Sequence, residues 1–155
     1  MSALDTRIPP PLVAAVCAGL MWLIAQALTA PAVSLSGAVR GGLIGVLVCA
    51  AVVVAVSAAW HFRQSRTTIN PHTPDATSTL VTGGVYRWTR NPMYLGLALL
   101  LAAWGVYLLS LWSLLGVAGF VVYLNRFQIG PEEQALHARF GETFVAYCAS
   151  VRRWI

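Results

Sequence analysis

Apolar residues fall in long unbroken runs, not in the alternation of a half-buried strand or the single stripe of a surface helix. The runs cover residues 12–30, 41–62, 92–109 and 111–127. Each is close to the roughly 20 residues that carry a helix across a bilayer. Pro9, Pro10 and Pro11 precede the first run and Pro31 follows it, placements that suit a helix start and a helix stop. Asp5 and Arg7 leave the segment before it without the net positive charge of a signal peptide, so the run reads as a true span. Only residues 110–113 separate the third run from the fourth, which predicts a tight antiparallel helical hairpin.

A polar stretch rich in Thr, Ser, Asn and Pro, residues 64–84, lies between the second and third runs. A loop of that length without periodicity is either functional or disordered. Beyond the fourth run, Pro131 with Glu132 and Glu133 behind it suits the first turn of a helix. Leu136, Phe140, Phe144 and Tyr147 then recur at helical spacing, interrupted by Gly141, which predicts an amphipathic helix against the bundle or the membrane surface. The expected fold is all-α: an integral membrane bundle of four transmembrane helices and an amphipathic helix in the tail. It forms one domain over residues 1–155, with a first helix pair at 12–62 and the loop, hairpin and tail at 63–155.

Composition agrees with the pattern. Hydrophobic residues make up 58% of the 155 and charged residues 10%, against roughly 25% charged in an average soluble domain. All ten basic residues are arginine. They are scattered around the apolar runs, which argues against a nucleic-acid surface. Guanidinium groups suit bidentate binding of carboxylate or phosphate, and base composition of the genome is the alternative reason for their use. Four spans put both termini and the long loop on one side with Arg7, Arg63, Arg66, Arg87, Arg90, Arg126, Arg139, Arg152 and Arg153, and leave Arg40 on the other. That asymmetry assigns the Arg-rich side to the cytoplasm and the chain to a plasma membrane, in a bacterium the inner one. Cys17, Cys49 and Cys148 lack metal or redox spacing, and His61, His72 and His137 lack a third ligand, so no metal is expected.

Polar landmarks concentrate after Gly83. Arg87, Arg90, Asn91, Tyr86 and Tyr94 crowd the start of the third apolar run, where free backbone N–H groups and a positive dipole end can hold an anionic group. An interfacial aromatic girdle with an N-cap would look the same. Glu132 and Glu133 can hold a cation or an amine, or simply complement a helix N-terminus. The ending Val151-Arg152-Arg153-Trp154-Ile155 has the composition of a tail on anionic headgroups.

In this order, Thr79-Leu80-Val81-Thr82-Gly83-Gly84-Val85-Tyr86, Arg90-Asn91-Pro92-Met93-Tyr94-Leu95-Gly96, Glu132-Glu133, and Phe140-Gly141 with Tyr147 resemble the isoprenylcysteine carboxyl methyltransferase and phospholipid methyltransferase superfamily. The resemblance spans roughly residues 67–154. It implies an S-adenosylmethionine pocket facing the cytoplasm. Thr79, Leu80 and Val81 would meet the cofactor through backbone, and Tyr86 would contact it. Asn91, Pro92, Met93 and Tyr94 would wrap its amino-acid or adenosine part. Glu132 would accept its hydrogen bonds, and residues 67–72 would close the pocket. Arg90, Arg126, Glu133 and Arg152 are the candidates for orienting the acceptor, with Glu133 the nearest base if that acceptor is an amine. Two positions depart from the family's eukaryotic members. Asn91 stands in place of His, and Gln128 stands in place of a substrate-contacting Arg. Both bear on recognition of a prenylcysteine carboxylate more than on cofactor binding.

The implied activity is methyl transfer from S-adenosylmethionine to a lipophilic or small hydrophobic acceptor, with membrane lipids as neighbours. Such a reaction needs positioning and exclusion of water rather than a covalent enzyme intermediate. The absence of a strand followed by GxGxxG excludes the soluble Rossmann-type methyltransferases. Two other readings are an NADPH-dependent enzyme like the membrane sterol reductases, and a non-catalytic membrane scaffold or sensor.

Overall fold

The computed structural model describes residues 8–28, 34–64 and 80–155, and every regular element among them is helical. The helices are α1 (Pro10–Ala27), α2 (Gly37–Gln64), α3 (Pro92–Leu108), α4 (Leu114–Leu124), α5 (Gly130–Phe140) and α6 (Glu142–Ser150). Short 3-10 turns cover Gly84–Arg87 and Leu111–Ser113, and a π turn covers Asn125–Ile129.

α2 has 28 residues, which at 1.5 Å each make about 42 Å. That exceeds a hydrocarbon core of roughly 30 Å, so the helix has length to spare for its polar end at Arg63 and Gln64. Val46, Val53, Val56 and Trp60 all stand exposed along it. A helix apolar all round has no face for water, and lipid must cover it. Among the described residues, α1 and α2 are long and apolar enough to cross a membrane, while α3 is a shorter apolar helix of 17 residues.

α2 packs along α3, and α1 packs against both α3 and α4. The main core joins Val13, Ala14 and Met21 of α1 to Leu101 of α3, Phe120 and Leu124 of α4, and Ile129 of the π turn. Inside this apolar contact, the Trp104 indole N–H finds the Ala18 carbonyl at 3.1 Å. Near the start of α2, the Arg40 guanidinium lies over the Tyr107 ring, 4.9 Å from its centroid, and bonds the Tyr107 carbonyl. Tyr107 in turn stacks on Trp104.

Two sequence expectations need revision. The apolar pattern closes the fourth run at Asn125 and Arg126 and starts a separate helix at Pro131. Instead α4, the π turn and α5 run on without a break. The Gly130 N–H bonds the Asn125 carbonyl five residues back, so the helix is already widened where Pro131 arrives without an N–H. The expected single amphipathic tail helix is two helices, α5 and α6, split at Gly141 with φ +50°. The spacing of Phe140, Phe144 and Tyr147 looks continuous, but a left-handed glycine ends the first helix between them. Phe144, Tyr147 and Val151 then form a second small core with Leu80, Leu136, Phe140 and Cys148.

Candidate functional site

The π turn sets the direction in which the first turn of α5 faces. Gln128 is buried within the π turn and Glu132 lies one turn on. The Gln128 amide donates to Glu132 Oε1 at 2.7 Å, and the Tyr94 hydroxyl of α3 donates to the same oxygen at 2.6 Å. Both donors are neutral. Burial pushes the Glu132 carboxyl above the usual carboxylate range, and Glu133 pushes the same way, while the two hydrogen bonds pull it down.

Glu133 stands in the opposite condition. Arg153 grips it with a fork, Nε to Oε1 at 3.1 Å and Nη2 to Oε2 at 2.5 Å, and Arg90 Nη2 reaches Oε1 at 3.1 Å. Both guanidiniums thus pair with Glu133. Adjacent acids therefore have different surroundings: Glu133 meets two guanidiniums, and Glu132 is bonded by two neutral donors. Arg90 Nε is buried and has no hydrogen-bond partner among the described residues.

Residues 151–155 close the arrangement. The Arg90 N–H donates to the Arg152 carbonyl at 3.1 Å. The Arg153 carbonyl accepts the Asn91 side-chain amide at 3.0 Å and the Thr89 hydroxyl at 3.3 Å. The Trp154 indole donates to Asn125 Oδ1 at 3.0 Å and packs against the main core. The tail is turned inward, not laid out on headgroups as its composition suggested.

The 3-10 turn forms the other wall. Tyr86 is buried, its carbonyl accepts the Tyr147 hydroxyl at 2.7 Å, and burial raises each phenol to about 12. Gly84 has φ +60°, and a Cβ there would lie 1.8 Å from Nε2 of His61. The end of α2 therefore meets this turn at a point where only glycine fits.

Of the residues singled out from sequence, the structure brings together Tyr94, Glu132, Glu133 and Arg90, with Asn91 joined to them through the Arg153 carbonyl. Pro92 is buried at the start of α3, beneath Asn91. Leu80 packs in the second core beside Tyr147, and Val81 comes next in the chain, half-buried. Met93 is exposed. Arg126 is exposed and lies over the Phe127 ring, and Arg152 joins the cluster by its carbonyl while its side chain is exposed. Thr79 and residues 67–72 lie outside the described residues. Sequence reasoning passed over Thr89, Asn125, Arg153 and Trp154 as contributors, and noted Gln128 only as a departure. The four-residue spacing of Gln128 and Glu132 on a helix was the legible sign. Nothing in the pattern distinguishes Arg153 from Arg152.

Chemically, Glu132 can meet a cationic group, and Arg90 Nε is a buried donor still without an acceptor among the described residues. No solved structure matches the chain. An uncharacterised protein of Haemophilus influenzae is 43% identical over 63 residues, which is 41% of this chain and the whole of that protein. A family model described as phospholipid methyltransferase matches residues 41–143. That span takes in most of α2, the 3-10 turn at Gly84–Arg87, the hairpin and both acids, and with the apolar helices it makes this a membrane protein that belongs to the phospholipid methyltransferase family.

Proposed function

We propose that the chain is an S-adenosylmethionine-dependent methyltransferase acting on a lipophilic or small hydrophobic acceptor, held in the membrane by four helices with its site at the cytoplasmic face. The observation that carries this reading is Glu132, a half-buried carboxylate bonded by two neutral donors beside a fully neutralised Glu133. Removing a charge from water without a countercharge is expensive. A cationic ligand supplies the missing charge, and S-adenosylmethionine is cationic at both its ammonium and its sulfonium.

The cofactor supplies an activated methyl group on sulfur. The protein's work is to bind, orient and exclude water. Glu132 holds a cationic part, with Tyr94 and Gln128 fixing the orientation of its carboxylate. Arg90 Nε receives a carboxylate oxygen. Tyr86, Leu80, Val81, Asn91, Pro92 and Met93 wall the rest. Glu133 serves the frame, because guanidiniums occupy both of its oxygens. Arg126 and Arg152, exposed beside the site, orient the acceptor's polar end.

Calorimetric titration of the detergent-solubilised protein with S-adenosylmethionine tests the reading. Saturable binding that Glu132→Ala abolishes supports it and justifies screening acceptors by radiolabelled methyl transfer. Absence of binding by folded wild-type protein refutes it, and NADPH is the next ligand to titrate.

A further inference from the structure

Arg153 does two things at once. Its side chain holds Glu133 at the start of α5, and its carbonyl holds Thr89 and Asn91 at the start of α3. Trp154 beside it holds Asn125 at the start of the π turn and seats its ring in the main core. Asn125 and Glu133 bracket the stretch that carries Gln128 and Glu132. Asn91 is the residue from which the helix bearing Tyr94 starts. The strap of residues 151–155 therefore grips both ends of the π-turn stretch and the entry of α3, the two parts of the chain that meet in the Tyr94–Glu132 hydrogen bond. Arg90 completes a ring: its side chain reaches Glu133 and its N–H the Arg152 carbonyl.

We propose that Arg153 and Trp154 are positioning residues of the methyl-transfer site, setting the Tyr94–Glu132 spacing through Asn91, Glu133 and Asn125 without touching the ligand. The proposal rests on the reading that Glu132 holds the cofactor. It accounts for the use of a main-chain carbonyl as the partner of Asn91. That carbonyl survives any side-chain change at 153, so an Arg153 variant loses the grip on α5 and keeps the grip on α3.

The test uses the full-length protein in one detergent. The variants are Trp154→Phe, which keeps an aromatic ring for the core but loses the N–H and part of the ring volume, Arg153→Ala, Arg153→Lys, and Asn125→Ala alone and combined with Trp154→Phe, the pair that isolates the N–H bond. Calorimetry gives the S-adenosylmethionine Kd, and a thermal transition gives the fold. The expected result is a Kd weakened about tenfold in Trp154→Phe and in Arg153→Ala, the size of one hydrogen bond to a site group. Arg153→Lys falls between wild type and Arg153→Ala, since an ammonium keeps the charge and loses the fork. The double variant is no weaker than the weaker single one. At saturating cofactor and acceptor, turnover falls less than the Kd rises.

Wild-type affinity in Trp154→Phe and Arg153→Ala, with or without a lowered thermal transition, overturns the strap and leaves the cofactor reading intact. If Arg153→Ala shows no thermal transition, Trp154→Phe and Arg153→Lys decide the matter by the same criteria. Failure of wild type to bind overturns both the cofactor reading and this proposal.

Discussion

Tyr94→Phe removes a single oxygen and leaves the ring where it packs. The lost bond is the 2.6 Å donation to Glu132 Oε1. Its value depends on the state of the acceptor: a hydrogen bond to a charged group contributes about 1.5–3 kcal/mol and a neutral one about 0.5–1.5. The penalty in Tyr94→Phe should therefore change with pH. Glu132 has a folded pKa raised by burial, and the Tyr94 bond lowers it. A raised carboxyl favours the fold while it is protonated, so its contribution is full below the ordinary carboxylate value and is lost as pH rises through the folded one. Removing Tyr94's hydroxyl raises the folded value further. The stability deficit of the variant should thus be small in acid and grow toward neutral pH. S-adenosylmethionine binding, which needs the carboxylate, should weaken about tenfold at neutral pH. The pH below which binding fades should move upward. Thermal transitions and calorimetric affinities of both proteins across the same pH series provide the measurement. A deficit independent of pH, or a binding midpoint that stays put or moves down, would refute the assignment of Tyr94 as a donor that favours the Glu132 carboxylate.

Other perturbations separate frame from site. Gly84→Ala combines a left-handed φ with a collision against the His61 ring, and should destabilise by about 1–3 kcal/mol and weaken cofactor binding. Adding His61→Ala should relieve the collision but not the backbone strain, so thermal transitions should show partial recovery. Trp104→Phe loses the bond to the Ala18 carbonyl and should cost about 0.5–1.5 kcal/mol with unchanged cofactor affinity. Arg126→Gln and Arg152→Gln, at exposed side chains, should alter stability by less than about 0.5 kcal/mol. They should raise the KM for a membrane acceptor and leave cofactor Kd unchanged.

Helical class and the hairpin were legible because run length and a short polar break dictate them with little help from tertiary contacts. The crossing of α4 into α5 was not. Asn125, Arg126 and Pro131 are ordinary helix-ending residues, and the wider winding of the π turn, with its bond from Gly130 to Asn125 across five positions, carries the helix through them. The split at Gly141 was visible as an interruption, but the hydrophobic spacing across it suggested continuity. Within the site, Tyr94, Glu132 and Arg90 could be named because they sit in a motif. Their partners come from segments distant in sequence: Glu132 meets Tyr94 from 38 positions away, and Asn91 meets the Arg153 carbonyl from 62. Main-chain acceptors such as that carbonyl carry no residue-type signature, and no reading of side chains finds them.

The π turn makes the site depend on a count of residues as well as on their identity. Each residue advances a helix by about 100°. The wider turn at Asn125–Ile129 holds one residue more than an ordinary turn. Deleting one position there with a return to ordinary winding would therefore leave Glu132 and Glu133 close to their present direction, whereas deleting one position in α4 with the wide turn kept would swing both by roughly that angle. The segment is a slot for one spare residue: its length can change by that one position only while Asn125 still meets Trp154 and Gln128 still meets Glu132.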